Sequence, residues 1–420
     1  MPDTIELGES AQPAGAQPAQ KLRVSISSPS SLLAVIPPLL GFEPSEPSLV
    51  VVGTEPPRGE VRITLRFDIP DARLAAAVAK DAISYLADNC ITTAAVVGYG
   101  PDSLVTPVAE EVLRRFPEAG ITLAEALRAQ DQRYWSYLCA NPECCPPEGT
   151  PFDREAHPIA AKLGGRGVLA SRAALARTIA PVTGEEADAM SRATRRAEAR
   201  ARRLIRETGN PAGRKARRAV HGPGLLAVTD AITRYREGRR LTSRNAAAWL
   251  ALVLRELPVR DDAWARMDPD HNEAHQRLWA DVTRLAQPGY AAAPAALLAF
   301  TAWQSGNGAL ANIALDRALA DQPGYSMATL LRQALDGGAP PSMARLPMTP
   351  EDVAASYNAM NSEEDGESGS QTGRVADGEQ DDGKADHSPG TVSPGEATEV
   401  QNPGGEGSAY AGEQVTELLS

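Results

Sequence analysis

Apolar and polar positions alternate along the first third of the chain and then change period. Residues 22–27 and 49–53 are short β-branched runs, and around 62–67 the alternation puts Val61, Ile63, Leu65 and Phe67 on one face, as in a half-buried strand. Between the first two runs Ser28 supplies a cap and Pro29 a first helical position, and Pro37 and Pro38 mark the expected stop. The pattern then predicts a helix over 71–88, an apolar strand over 94–98 and a helix over about 102–116. Residues 123–128 and 133–138 read as the arms of a hairpin around 129–132, although the first arm also suits a helix. Strands alternating with helices, with apolar inner strands, predict an α/β N-terminal domain over about 21–150, a mixed sheet with helices and some parallel pairing.

Past residue 157 the strand signal ends, and an all-α helical region is expected to about residue 348. Thr183, Gly184, Glu185 and Glu186 have the spacing of a capping box and Gly209 provides a stop, which predicts one basic helix near 184–208. Its apolar stripe, Ala187, Met190, Ala197, Ala201 and Leu204, is thin. Further helices are expected near 223–236, 242–256, 271–286, 294–305, 308–320 and 325–335. Ala311, Leu315, Ala318 and Pro323, with Leu298 and Ala299 before them, fall at the offsets of one tetratricopeptide unit near 294–323. The upstream helices do not repeat that pattern, so a single helical hairpin packed by small residues is expected. Trp249, Trp264, Trp279 and Trp303 are expected between helices.

Composition changes this picture at the two ends. Residues 1–20 are mostly Ala, Gln, Pro and Gly, and 361–420 are Gly, Ser, Glu, Asp and Gln, so disordered termini are expected on either side of the folded part. The acidic tail 361–420 holds 14 of the 54 acidic residues and two of the 42 basic ones, so it accounts for the whole formal net charge of -12. Residues 1–360 are balanced, and net charge offers no case for nucleic acid. Only five of the basic residues are lysine, which lowers the weight of any arginine cluster. The longest apolar runs fall far short of the roughly 20 residues of a spanning helix, and the first ten residues lack a basic and apolar leader. A cytoplasmic protein with no membrane association is expected.

Several segments resemble a known family. Residues 28–41 (SPSSLLAVIPPLLG), 49–53 (LVVVG), 65–70 (LRFDIP), 134–149 (YWSYLCANPECCPPEG) and 290–325 (YAAAPAALLAFTAWQSGNGALANIALDRALADQPGY) resemble the actinobacterial family called domain of unknown function 4192. The resemblance runs over roughly residues 22–348 and is most specific in the tryptophan, cysteine and proline string at 135–147. It implies an actinobacterial cytosolic origin and brings no activity, ligand or catalytic residue with it.

Two places carry candidate chemistry. Cys139, Cys144 and Cys145, with His157 twelve residues on, could supply three thiolates and an imidazole to a tetrahedral zinc ion. Adjacent cysteines point apart in an extended chain, however, so zinc is possible but not favoured, and a buried thiol cluster or a reversible disulfide is the preferred expectation. The second place is the carboxyl edge of the sheet, where open α/β sheets bind ligands. There Arg66, Asp68, Gly98, Gly100 and Asp102 are the candidate pocket residues. Their plainer roles are a tight turn at the two glycines and helix caps at Asp68 and Asp102.

Two further clusters have plainer explanations. The segment 192–218 carries eleven basic residues against Glu198 and Glu207, but lacks interleaved aromatics, so a solvated, salt-bridged helix is expected and a nucleic-acid partner is unlikely on this pattern. His271 and His275 lie one turn apart and could reach one metal, yet an exposed helix start capped by Asp268 or Asp270 accounts for them. These observations lead to an uncharacterised, non-catalytic binding or interaction protein with a protein partner on its helical region. The alternative is an enzyme or metal-dependent regulator using the strand-end pocket and the loop from Cys139 to Cys145.

Overall fold

The computed structural model describes residues 3–7, 22–26, 28–44, 47–55, 60–163, 168–209, 216, 218–241, 243–339, 343 and 348–369. Strands β1 (Asp3–Leu7) and β2 (Leu22–Ile26) form an antiparallel pair of their own. Residues 3–7 therefore depart from the disorder expected over 1–20, because alternating Ile5 and Leu7 can pair with the β-branched run opposite.

A six-stranded mixed sheet follows. Its strands are β3 (Ser48–Glu55), β4 (Glu60–Asp68), β5 (Thr93–Tyr99), β6 (Thr122–Gln130), β7 (Arg133–Ser136) and β8 (Thr150–Pro151), in the order β4-β3-β5-β6-β7-β8. The β5–β6 pair is parallel and the other neighbours are antiparallel. A parallel pair needs a crossover, which α3 supplies below. The hairpin turn at Asp131 and Gln132 takes positive φ at both residues, 50° and 58°, the twist that suits a two-residue connection.

Three helices flank the sheet. Ser28 and Ser31 cap α1 (Pro29–Leu40) reciprocally, but the helix does not stop at Pro37. It continues one turn through both prolines, which lack only their own N–H donors, and Gly41 at φ 79° closes it by donating to the Pro37 carbonyl. Helix α2 (Ala75–Asp88) follows a 3₁₀ turn over Ala72–Leu74 whose cap is Asp71, and α3 (Asp102–Glu118) follows β5.

The remaining helices are α4 (Pro158–Leu163), α5 (Arg172–Thr178), α6 (Gly184–Glu207), α7 (His221–Arg236), α8 (Arg244–Val253), α9 (Leu257–Ala265), α10 (Asn272–Leu285), α11 (Ala292–Gln304), α12 (Gly308–Asp321), α13 (Ser326–Asp336) and α14 (Pro350–Gly369). Thr183 precedes α6 as expected but makes no side-chain cap. Glu186 is taken instead by Arg244, which binds both its oxygens at 2.9 and 2.7 Å.

The period of two in the strands assigns the core. Leu49, Val51, Ala94, Val96 and Ala126 face α2 and α3, whereas Val50, Val52, Val97 and Leu127 face α1 and join Leu250, Trp279, Leu298 and Leu315 in one continuous cluster. The helical region thus shares one core with α1 and the second face of the sheet. Within it Ala311, Leu315 and Ala318 are fully buried in the α11–α12 hairpin, and Asp321 turns back to cap α11. Trp264 meets Phe300 edge-on at 5.3 Å between α9 and α11.

Helix α14 has no counterpart in the sequence reading and extends nine residues into the acidic tail; residues 370–420 lie outside the described residues. Thr349 and Asp352 cap it reciprocally, Val353 is buried, and the Tyr357 hydroxyl donates to Asp261 at 2.6 Å. Asp261 also holds the buried Arg260, which lies near the Tyr325 hydroxyl. Ending the chain at residue 348 removes the buried Val353 and strips Asp261 of its Tyr357 partner, which is expected to cost about 2–3 kcal/mol and lower Tm by about 4–10 °C. Ending it at residue 369 should leave Tm nearly unchanged. Thermal melts of the two truncations beside the full chain read this directly.

Candidate functional site

The register brings the strand ends together. Ser48 pairs with both Asp68 and Tyr99, and Tyr99 pairs with Ala129, so the carboxyl ends of β4, β5 and β6 share one edge. Alternation then divides the five pocket residues between two faces. Arg66 and Asp68 form an ion pair at 2.6 Å on the α1 side, where the Arg66 guanidinium lies 5.8 Å from the Phe42 ring. Close by, Arg154 pairs with Glu43 at 2.6 Å. Burial raises the Glu43 carboxyl above its ordinary range, although Arg154 opposes the shift. Asp68 is paired rather than capping; Asp71 supplies the cap of the 3₁₀ turn because its carboxylate accepts the Arg73 N–H at 2.9 Å.

Asp102 stands on the other face. It is the first residue of α3, with Pro101 at the cap position, and its carboxylate accepts from Thr106 at 2.8 Å and meets Arg128 at 3.5 Å. Gly98 lies under α3, where an added Cβ would come within 2.1 Å of a Val105 methyl, so its smallness serves helix–sheet packing. Gly100 turns the chain at φ 129° beside Pro47. None of the five lines a hollow of about 510 Å³ that lies at the opposite edge between Leu113, Pro117, Ile121, Leu123 and Leu138.

Arg128 was not among the candidates, yet it links this edge to the cysteine loop. Its guanidinium stacks 3.7 Å from the centroid of Trp135, its cross-strand partner, and donates to Gln130 at 3.1 Å. The hairpin turns at residues 131–132 and places 128 opposite 135, whereas the turn expected over 129–132 would set 128 opposite 133. Trp135 in turn anchors the loop by donating from Nε1 to the Pro147 carbonyl at 2.9 Å. Arg133 holds the Gly149 carbonyl at 2.7 Å, and the Trp135 ring lies so close to Gly149, at φ 82°, that a Cβ there would clash.

On this clamped loop the sulfur atoms of Cys139, Cys144 and Cys145 lie within 4.8 Å of one another. Adjacent cysteines converge because the chain is not extended: the Asn141 carbonyl accepts from the N–H of both Cys144 and Cys145, at 3.1 and 2.8 Å, and folds a tight turn. The thiols are not buried, contrary to the buried-cluster expectation. Cys144 is exposed, its two companions are part-exposed, and all three are free, as is the remote Cys90.

Hydrogen bonds from the Cys145 thiol and the Asn141 N–H hold the Cys139 thiol below the ordinary range, and the Cys144 thiol adds to this. Cys145, mainly as donor to Cys139, is pushed up to about 12. His157 does not belong to the group: its Nδ1 accepts the Ile159 N–H at 3.3 Å and its ring lies 6.3 Å from that of Phe152. Leu138, which lines the hollow, adjoins Cys139.

The family model for a domain of unknown function (DUF4192) matches residues 29–342. The chain belongs to that family. No curated protein and no solved structure matches it. The DUF4192 segment contains both strand-end clusters, the thiol loop and the helices up to α13, whereas α14 follows it.

The other two sequence clusters take structural roles. On α6, Arg202 and Arg203 pair with Glu198 and Glu207, Arg196 binds Asn245, and Arg200 lies 4.1 Å from the Trp249 ring. Arg214, Lys215 and Arg217 of the same basic stretch lie outside the described residues. His271 is exposed and paired with the Asp268 carboxylate at 2.8 Å, while His275 is buried and its Nε2 is approached by the Asp268 N–H at 3.4 Å. Among the described residues no helix is long and apolar enough to cross a membrane.

Proposed function

We propose that this chain is a non-catalytic binding protein of the cytoplasm whose ligand-binding element is the thiol loop 139–149 and whose helical half serves a protein partner. The observation that carries the reading is the convergence of three accessible thiols on a loop clamped by Trp135 and Arg133. Reduced, accessible thiols suit a reducing compartment. The same observation favours the metal-dependent form of the alternative over catalysis at the strand ends, where Arg66 and Arg128 are already met by Asp68 and Asp102.

Native mass spectrometry of the full chain, purified under reducing conditions without a metal-affinity tag, tests this. The expected result is a mass above that of the polypeptide which falls to the polypeptide mass when Cys139, Cys144 and Cys145 are all changed to serine. A bare polypeptide mass from both proteins would sink the reading.

A further inference from the structure

We propose that Cys139, Cys144 and Cys145 are three thiolate ligands of one zinc ion whose fourth position is open to water or an incoming ligand. The inference rests on reading the loop as the binding element and adds the identity of what it binds. Tetrahedral zinc with bonds of about 2.3 Å sets its sulfurs about 3.8 Å apart. Sulfurs already within 4.8 Å of one another need only a small inward rotation to reach that spacing.

The loop is built to hold them there. The Asn141 carbonyl fixes the turn that carries Cys144 and Cys145, and the Asn141 N–H points at the Cys139 sulfur, where it stabilises negative charge. Pro142, Pro146 and Pro147 stiffen the backbone, and Trp135 and Arg133 tie its far end to the hairpin. A site held before the ion arrives gives up less ordering entropy on binding.

Charge selects the ion. Three thiolates on a divalent cation leave one net negative charge, whereas on copper(I) they leave two. Glu125 is close enough to act on Cys139, and Glu143 and Glu148 lie in the loop, so the smaller residual charge is favoured. No histidine, fourth cysteine or carboxylate oxygen falls within the thiol group among the described residues, which leaves the fourth position to solvent. On binding, each coordinating thiol releases its proton to water and no electron is transferred.

The test is titration of the reduced, metal-stripped full chain with zinc chloride against a chromophoric chelator, repeated with cobalt(II) and copper(I). One zinc per chain is expected, with affinity lowered at least tenfold in each of Cys139→Ser, Cys144→Ser and Cys145→Ser, and unchanged within twofold in His157→Ala and Cys90→Ser. Cobalt(II) should give intense sulfur-to-metal charge-transfer bands and the visible spectrum of a tetrahedral ion. Far-ultraviolet circular dichroism of the three serine variants should match the wild type, since the loop lies outside both cores.

Zinc bound equally well by the Cys139→Ser, Cys144→Ser and Cys145→Ser variants would overturn the proposal. So would no zinc binding, or stoichiometric copper(I) in its place. A metal-free thiol adduct on the same cysteines would overturn the zinc assignment while leaving the loop as the binding element.

Discussion

Asp321→Ala is expected to destabilise the protein by about 3–5 kcal/mol, more than an ordinary helix cap, for which about 1 kcal/mol is typical. The Asp321 carboxylate is nearly inaccessible and accepts three backbone N–H groups at the start of α11: Gly289 at 2.9 Å, Ala291 at 2.8 Å and Ala292 at 3.0 Å. It also places a negative charge at the positive end of that helix. Water cannot take over this role cheaply, because every residue from Ala292 to Trp303 is buried. Chemical denaturation should show the loss, and Tm should fall by about 6–15 °C. Asp321→Asn keeps one acceptor oxygen without the charge and should fall between. A cost below about 1 kcal/mol for alanine would show that α11 is capped in another way.

Acid should destabilise the protein through His275. Burial, and secondarily Arg236, pushes this imidazole down to about 4, with Asp268 opposing and exposed His271 adding a little. Its Nε2 is approached by the Asp268 N–H at 3.4 Å, and its Nδ1 is buried without a hydrogen-bond partner among the described residues. Above an unfolded value of about 6.5 both states hold a neutral ring and the group contributes its full stability. As pH falls below that value the unfolded chain takes up a proton that the native state refuses. Stability then drops by about 1.4 kcal/mol per pH unit, reaching a loss of about 3 kcal/mol near pH 4. Urea denaturation at pH 7 and pH 4.5 should therefore give a pH-induced loss about 2–3 kcal/mol smaller in His275→Gln than in the wild type. Equal losses in the two proteins would place the acid sensitivity elsewhere.

The alternation around 62–67 and the apolar run at 94–98 were legible because a strand exposes or buries its side chains with a period of two. Both strands sit where that pattern puts them. The hairpin was legible for the same reason, and the helices from α10 to α13 because long three-four periods and glycine stops mark them. Helix α9 was missed because its buried positions include Arg260 and Asp262, which read as surface residues until their partners are known. Helix α14 was missed because few apolar side chains dock it, Val353 among them.

In the loop, three cysteines within seven positions drew attention from composition alone, but their orientation was misjudged. A turn made by one backbone carbonyl decides it, and carbonyls leave no mark in a sequence.

The sequence by itself determined the succession from strands with helices to helices alone, the location of the net charge and the candidacy of the thiol loop, because each depends on neighbours close along the chain. Only the tertiary structure decided that the two halves share one core, that the strand-end charges fall on opposite faces, and that Trp135 joins Arg128 to the cysteine loop. Those outcomes depend on register and on pairings between residues distant in sequence, where a shift of one residue in a strand sends every side chain to the other face.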